Sequence, residues 1–414
     1  MNRRAFLGAA FSTAAFAQDR KLKLGLIGAG WFGMVDVNAA LKAGGVEIVA
    51  IADADTEHQA ESAAAIEKLQ GSRPKTTKDY REVIATAGLD GVIIATPPHW
   101  HALPFIAACQ KGLAIYCEKP LAYDIREGRA MANAAKTAGN LVAIGFQRRT
   151  SDAFRQVRDY LRSGNAGRVV QVDVQIHYTA ALLDNKPQDP PASLDWDLWC
   201  GPAPKLPYSP QVGHKSWRLE EAYGNGHLVD WGIHMMDATR MILDLSTPQW
   251  IEAAGGIYQY KGRITTPDTL TAYFEFEQCP VVWRHRLWGA QEYTPETNNG
   301  ITFFGDKETI FVTDNRWVII PREKGAQRKV TEVSGDLSQR SVAAWLNAVR
   351  TRGPVPCTVE EAFQSTATVQ LGMIAYKTGQ RLTWDAKSEK IVNDAAANQR
   401  LMRPYRAPYK HPFA

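Results

Sequence analysis

KLGLIGAGWFGMVDVNAALKAGGVEIVAIAD, residues 23–53, decides how the rest of the chain is read. A short apolar run, Leu24 to Ile27, meets Gly28-Ala29-Gly30-Trp31-Phe32-Gly33. A helical segment follows and ends at Gly44-Gly45, and a second apolar run, Val46 to Ala52, stops at Asp53. Strand, glycine turn, helix and strand in this order form the context that a dinucleotide fingerprint needs. Gly28 allows the tight turn, Gly30 lets backbone approach a pyrophosphate, and Gly33 lets the helix pack closely on the strand. The new helix N-terminus adds free N–H groups and a positive dipole end. Trp31 and Phe32 belong to the same loop. Asp53 falls where a carboxylate accepts hydrogen bonds from the adenosine ribose. That favours NAD over NADP, because a carboxylate repels a 2′-phosphate and Ala54-Asp55 offers no arginine for it.

Downstream, the alternation continues. Thr56 to Leu69 and Asp79 to Ala87 read as helices, and Gly91 to Ala95 as a fully apolar buried strand ending at Thr96-Pro97-Pro98. Helix His101 to Lys111, strand Leu113 to Cys117, helix Ile125 to Ala138 and strand Leu141 to Gly145 complete the alternation, counted as six strands of which the third, between Asp53 and Gly91, is not located. The expected fold is α/β, an N-terminal doubly wound parallel sheet of Rossmann type. After Arg149 the texture changes. Ala153 to Arg162 is an amphipathic helix, Arg168 to Tyr178 alternates as a strand, and Pro187 to Trp217 is a Pro- and Trp-rich stretch without period. That stretch is too long for a plain connector and suits a fixed loop over a site or a neighbouring subunit. Gly226 to Leu245 is helical, Trp250 to Ile320 is strand after strand, and helices return at Ser341 to Arg350 and Val359 to Thr378. This second half is expected to be an α+β domain on a large, mostly antiparallel sheet, followed by an extended tail.

Upstream, Arg3-Arg4-Ala5-Phe6-Leu7, a weakly apolar segment and Ala15-Phe16-Ala17 read as a twin-arginine export signal cleaved after Ala17. The expected location is the periplasm or outside the cell, or the cytoplasm if residues 1–17 are an ordinary N-terminus. The expected domains are 1–17 (signal), 18–148 (NAD-binding), 149–385 (substrate-binding and oligomerisation) and 386–414 (tail). The 414 residues are 45% hydrophobic and 22% charged with net charge +5, and no Lys/Arg block argues for nucleic acid. No apolar run is long enough to span a bilayer. The five cysteines show neither metal spacing nor a disulfide framework, and read as buried small hydrophobes.

Three clusters can carry chemistry. Thr96-Pro97-Pro98-His99-Trp100-His101 and Glu118-Lys119-Pro120 end the fourth and fifth strands, where ligands of an open parallel sheet bind, so both face the nicotinamide end. The third is Gly224 to His234, in which Asp230 and His234 share a helix face with His227 one turn earlier. Such an aspartate can orient a histidine or bind a substrate hydroxyl. Read locally, Lys119 is also a surface lysine in a turn and Asp230/His234 a satisfied helix pair. A metal site lacks a third ligand at suitable spacing.

Together these marks resemble the Gfo/Idh/MocA sugar oxidoreductases, from Lys23 to about Tyr409. They are the glycine loop, Ala95-Thr96-Pro97 with His101, Cys117 to Ala122, Gly226 to His234, and the ending Gly379 to Trp384 with Tyr405-Arg406-Ala407-Pro408, which looks like an exported bacterial branch. Asn225 departs from the glycine commoner there. The resemblance implies that Lys119 contacts the reacting hydroxyl, with a possible cis bond to Pro120. It makes His234 the general base, and gives Asp230 the task of holding an adjacent hydroxyl and orienting the pair. Thr96, Pro97, His101, Glu118 and Lys119 join the glycine loop around the cofactor. Arg148, Trp217, Arg218 and Tyr258 are candidate sugar contacts. The implied activity is oxidation of a CH–OH group of a sugar, polyol or glycoside, since alcohol oxidation sheds one proton to a base and one hydride to the nicotinamide. Outside the cytoplasm the NAD has to be tightly held and recycled in place. One alternative is redox-neutral glycoside hydrolysis, by oxidation, elimination, hydration and reduction. A further one is a non-catalytic nucleotide-binding protein. An open sheet face suggests a homodimer or homotetramer.

Overall fold

The computed structural model describes residues 20–213, 216–290, 299–392 and 394–413; the segment read as an export signal lies outside them. The first half is built on β1 (Leu22–Ile27), β2 (Val46–Ala52), β3 (Lys75–Thr77), β4 (Gly91–Ile94), β5 (Ala114–Cys117) and β6 (Val142–Ile144). They form one parallel sheet in the order β3-β2-β1-β4-β5-β6. The connecting helices are α1 (Trp31–Ala43), α2 (Thr56–Gln70), α3 (Tyr80–Ile84), α4 (Ala102–Gln110) and α5 (Ile125–Ala138). The order reverses between β1 and β4, which opens a crevice beyond their carboxyl ends. β4 and β5 are buried at every residue, as continuous apolar runs require. β3 has only three residues, none buried, and so leaves no hydrophobic signature to read.

After α6 (Asp152–Arg162) come β7 (Val169–His177), α7 (Trp196–Cys200), α8 (Ile233–Leu243), β8 (Trp250–Gly256), β9 (Thr269–Glu275), β10 (Pro280–Arg286), β11 (Asn299–Gly305), β12 (Glu308–Val312), β13 (Arg316–Pro321) and β14 (Lys329–Glu332). The chain closes with α9 (Leu337–Thr351), α10 (Val359–Thr378), β15 (Leu382–Asp385), β16 (Lys390–Ile391) and α11 (Ala395–Gln399). The second sheet has ten strands in the order β14-β13-β12-β11-β7-β10-β9-β8-β15-β16. Its pairs are antiparallel except β7 with β10, which run parallel. Strand β7 enters from α6 rather than through a hairpin, so its direction is free of its neighbours'. Helix α10 crosses β8 and β9 at close range. A Cβ on Gly372 would sit 2.9 Å from both Leu228 and Phe274, so only glycine admits that approach.

Two expectations need correction. The tail is not uniformly extended: Leu382–Asp385 adds a strand to the sheet, Lys390–Ile391 pairs with it, and α11 follows. Only beyond Leu401 does it run without regular structure. The region 226–245 is not one regular α-helix either, because Leu228–Gly232 is a π-helical turn leading into α8. Finally, α9 lies late in the chain yet packs on α1, burying Val342, Trp345 and Leu346 with Leu24, Val37 and Ala40.

Candidate active site

The glycine loop is shaped by steric necessity. Gly28 has φ +94°, and a Cβ there would lie 2.7 Å from Ala95 C and Thr96 N. On Gly33 a Cβ would fall 2.0 Å from the Gly28 carbonyl oxygen, so this glycine sets the helix–strand approach. Gly30 is different: the nearest atom to its added Cβ is His58 Nδ1 at 4.0 Å. The space above Gly30 is open, and Gly30 caps α1 without a side-chain bond, as a phosphate-binding turn requires. Asp53 closes the far side. Its Oδ2 accepts from Ala29 N–H at 2.7 Å and its Oδ1 from Asp55 N–H at 2.9 Å, with His58 Nδ1 3.9 Å away. The crevice above has a volume of about 690 Å³, and Trp31, Asp53, Thr96, Trp100, Trp199 and Arg218 are among its walls. A dinucleotide fits the donor set and the cradle.

The Pro- and Trp-rich stretch covers this crevice. Thr56 N–H donates to Ser193 O and Asp195 N–H to Ala54 O, each at 3.0 Å, beside the Asp53 loop. Trp196 stacks on Trp199 at 4.7 Å and meets Tyr208 edge-on. At the other end His99 Nε2 lies 2.9 Å from Trp199 O, and Trp100 Nε1 donates to the same oxygen at 3.0 Å. Leu198 and Trp199 thereby become walls of the nucleotide crevice.

The reacting groups meet where the two halves join. Lys119, ahead of a cis bond to Pro120, donates from Nζ to Asp230 Oδ1 at 2.9 Å and to Asp230 O at 2.8 Å. Arg218 Nε sits 3.1 Å from Asp230 Oδ2, with its guanidinium 4.4 Å over the Trp217 ring. Burial pushes the Asp230 carboxyl up, but the Lys119 and Arg218 charges overrule it and hold it below its ordinary value. Asp230 is therefore ionised and fixes the ammonium in place. His234 is buried, and its Nδ1 has no hydrogen-bond partner among the described residues. Burial first, then Arg148 and Lys119, depress its proton affinity well below that of a free imidazole. It is neutral, so one ring nitrogen keeps its lone pair, and Nδ1 itself is closed to solvent.

This geometry corrects one role read from the sequence. Asp230 does not orient His234, because it is engaged by two cations and the π-turn between them breaks the four-residue register of an α-helix. His227 also turns away, packed between Tyr178 at 4.8 Å and His285 at 5.0 Å. Trp31, Phe32, Thr96, Pro97, Trp217 and Arg218 line the crevice with Gly28, Gly30 and Asp53. His101 faces inward: fully buried, it places Nδ1 2.8 Å from Pro120 O and Nε2 2.7 Å from Thr96 O. It joins the two loops rather than touching the crevice, and burial lowers its pKa, so a neutral ring donates to one of the two carbonyls only. Glu118 is also buried and accepts from Gln147 Nε2 at 3.0 Å. Arg148 is buried and paired with Asp314 at 2.7 Å. Tyr258 is 61% exposed and outside the crevice walls.

Several contributors escaped the sequence reading. His58, Lys78 and Tyr80 line the crevice, together with Trp100 and Trp199 from segments that the sequence places near the site without giving these side chains a role. Tyr80 and Lys78 follow β3, and the strand-end rule reaches them only once β3 is located. Asn225 has φ +62°, a conformation asparagine tolerates. Its amide donates to Tyr123 O at 3.4 Å and accepts from Lys377 at 3.0 Å, which accounts for its presence where glycine was expected. Asp36, buried on α1 near Glu118, has no hydrogen-bond partner for either carboxylate oxygen among the described residues. Burial, then the Glu118 charge, raises Asp36 well above its ordinary value; burial raises Glu118 to about 7 against the pull of Lys119, with Asp230 adding to the rise.

Comparison with known proteins matches this architecture. Residues 22–146 match the NAD-binding Rossmann fold of the GFO/IDH/MocA oxidoreductases, and residues 175–411 match the C-terminal alpha/beta domain of the same family. The chain belongs to that oxidoreductase family. It is 31% identical to the rhizopine catabolism protein MocA of Rhizobium meliloti over 222 residues, 54% of this chain and 57% of that protein. Against levoglucosan dehydrogenase of Pseudarthrobacter phenanthrenivorans it is 29% identical over 194 residues, 47% of this chain and 42% of that one. The chain spans about half the length of the curated relatives it matches. A levoglucosan dehydrogenase solved with NADH and levoglucosan superposes with TM-score 0.69 at 20% identity, covering 88% of this chain and 99% of that one. At that identity the likeness establishes the fold.

Proposed function

We propose that this protein oxidises a CH–OH group of a cyclic polyol, sugar or glycoside with NAD. The observation that carries the reading is the Lys119–Asp230 pair, which Arg218 joins to the wall of the dinucleotide crevice, with the buried, neutral His234 near enough to feel the Lys119 charge. Bound nicotinamide supplies the hydride acceptor. Lys119 donates a hydrogen bond to the reacting oxygen and stabilises developing alkoxide charge. His234 takes the hydroxyl proton, and Asp230 keeps the ammonium aimed. Relatives named as inositol, levoglucosan and anhydrofructose enzymes support this substrate class.

The Leu198 and Trp199 walls of the crevice, on a stretch tied to the Asp53 loop by the Ala54–Asp195 and Thr56–Ser193 bonds, support a resident cofactor. Arg3-Arg4 and Ala15-Phe16-Ala17 support export of the loaded protein. We propose self-association through the open face of the ten-stranded sheet, where Trp250 and Tyr273 stack 4.9 Å apart and stay half-buried. The test is purification of the protein, identification of any nucleotide that accompanies it, and incubation with myo-inositol, levoglucosan and aryl glycosides while NADH fluorescence is followed. NADH formation with a cyclic polyol is the expected result. Aglycone release without NADH formation overturns net oxidation, and protein that arrives empty overturns cofactor retention.

A further inference from the structure

We infer that the C-terminal segment from Arg403 to His411 is a positioning device for Lys119, an inference that rests on the role given to Lys119 above. Between Lys119 and α5 lie five residues, and the groups that hold them come from elsewhere. Pro120 O meets His101 at 2.8 Å, Leu121 N–H donates to Thr366 Oγ1 at 3.1 Å, and Gln370 Nε2 donates to Ala122 O and Tyr123 O at 2.9 and 2.7 Å. The far end is fastened by Asp124 and Glu127, which open α5. Asp124 accepts from Glu127 N–H at 2.7 Å, and Glu127 accepts from Tyr123 N–H at 3.0 Å. Both carboxylates are buried, 5% and 0% exposed. Buried carboxylates at a helix start need compensation by charge and hydrogen bonds.

The tail provides that compensation. Arg403 Nε and Tyr405 Oη donate to Glu127 Oε1 at 3.0 and 2.8 Å. Arg403 N–H and His411 Nε2 reach Asp124 Oδ2 at 3.0 and 3.1 Å. Asp124, Glu127 and His411 resemble a cation site in spacing, but the Arg403 and Tyr405 donors already fill it. Arg403 also lies 4.1 Å over the Tyr123 ring and donates from Nη2 to His99 O at 2.9 Å. One guanidinium thus grips the loop after β4 and the loop after β5. Slack of about 1 Å at such a grip, passed along so short a segment, is enough to cost on the order of 100-fold in rate.

The test uses the full chain with Arg403→Ala, and with Tyr405→Phe as the milder change in case the first fails to fold. Hydrogen–deuterium exchange reads the segment 119–128 against 22–43. Expected is exchange about tenfold faster in 119–128 with 22–43 unchanged. With a polyol that the wild type oxidises, kcat falls about 10- to 100-fold while NADH affinity stays within about twofold. Unchanged exchange in 119–128, a uniform rise over the whole chain, or an unchanged kcat overturns the inference. A wild type that oxidises no polyol defeats the functional reading instead, and the exchange comparison still decides whether the tail holds the loop.

Discussion

The nucleotide crevice and the reacting centre are made in opposite ways. The crevice floor is local backbone: Gly28, Gly30 and Gly33 shape it within six residues, and the Asp53 carboxylate returns to Ala29 N–H at 2.7 Å across one βα unit. The centre is made of side chains from distant segments, with Lys119 and Asp230 separated by 111 residues and joined at 2.9 Å. A backbone-built site tolerates side-chain exchange and fails on added volume. A side-chain-built site fails on single deletions and is insensitive to bulk nearby.

Four substitutions put this contrast to the test. The largest effect belongs to Lys119→Ala, which is expected to lower kcat about 10²- to 10⁴-fold while NADH binding, followed by tryptophan quenching, stays intact. Equal loss of binding and turnover would place Lys119 in the crevice rather than the centre. Next, Gly33→Ala puts a methyl 2.0 Å from Gly28 O and should destabilise the fold by about 3 kcal/mol in urea titration. A smaller response is expected of Asp53→Ala, which removes two hydrogen bonds to backbone and the repulsion of a 2′-phosphate; NADH affinity should drop about tenfold, roughly 1.4 kcal/mol, and the preference for NADH over NADPH should narrow. The smallest belongs to Asp36→Leu, which replaces a buried, partnerless carboxyl by an apolar group of similar shape. Because the folded state raises the Asp36 pKa above its unfolded value, wild-type stability is lost as pH rises from the unfolded value. The variant should therefore gain about 1 kcal/mol at pH 8 and nothing near pH 3, measured as thermal midpoints.

The same contrast explains what could be read in advance. Each apolar run that ends in Gly28, Asp53, Thr96 or Glu118 announces a strand and its carboxyl end, so the doubly wound half and the glycine loop were legible residue by residue. β3 was counted but not located, because three partly exposed residues carry no pattern. The parallel pairing of β7 with β10 depends on where β7 enters the sheet, which no local signal encodes. Asp230 and His234 were found as a pair, but their partners were not. The π-turn at Leu228–Gly232 breaks the spacing rule that joined them, and the cations on Asp230 come from Lys119 and Arg218. His101 and Glu118 carried a motif and were assigned to the cofactor, whereas burial shows them bracing the loops from beneath.

Helix α9 has a bearing on how this molecule comes into being. Trp345 seals the back of the glycine-loop helix, yet it is synthesised some two hundred residues after β6. At about 5–20 residues per second, the nucleotide half waits roughly 10 to 40 seconds on the ribosome for this wall, and longer still for the tail that fastens α5. An excised fragment ending near residue 150 would expose the apolar flank of α1. The cofactor half is therefore finished only after nearly the whole substrate half has been made.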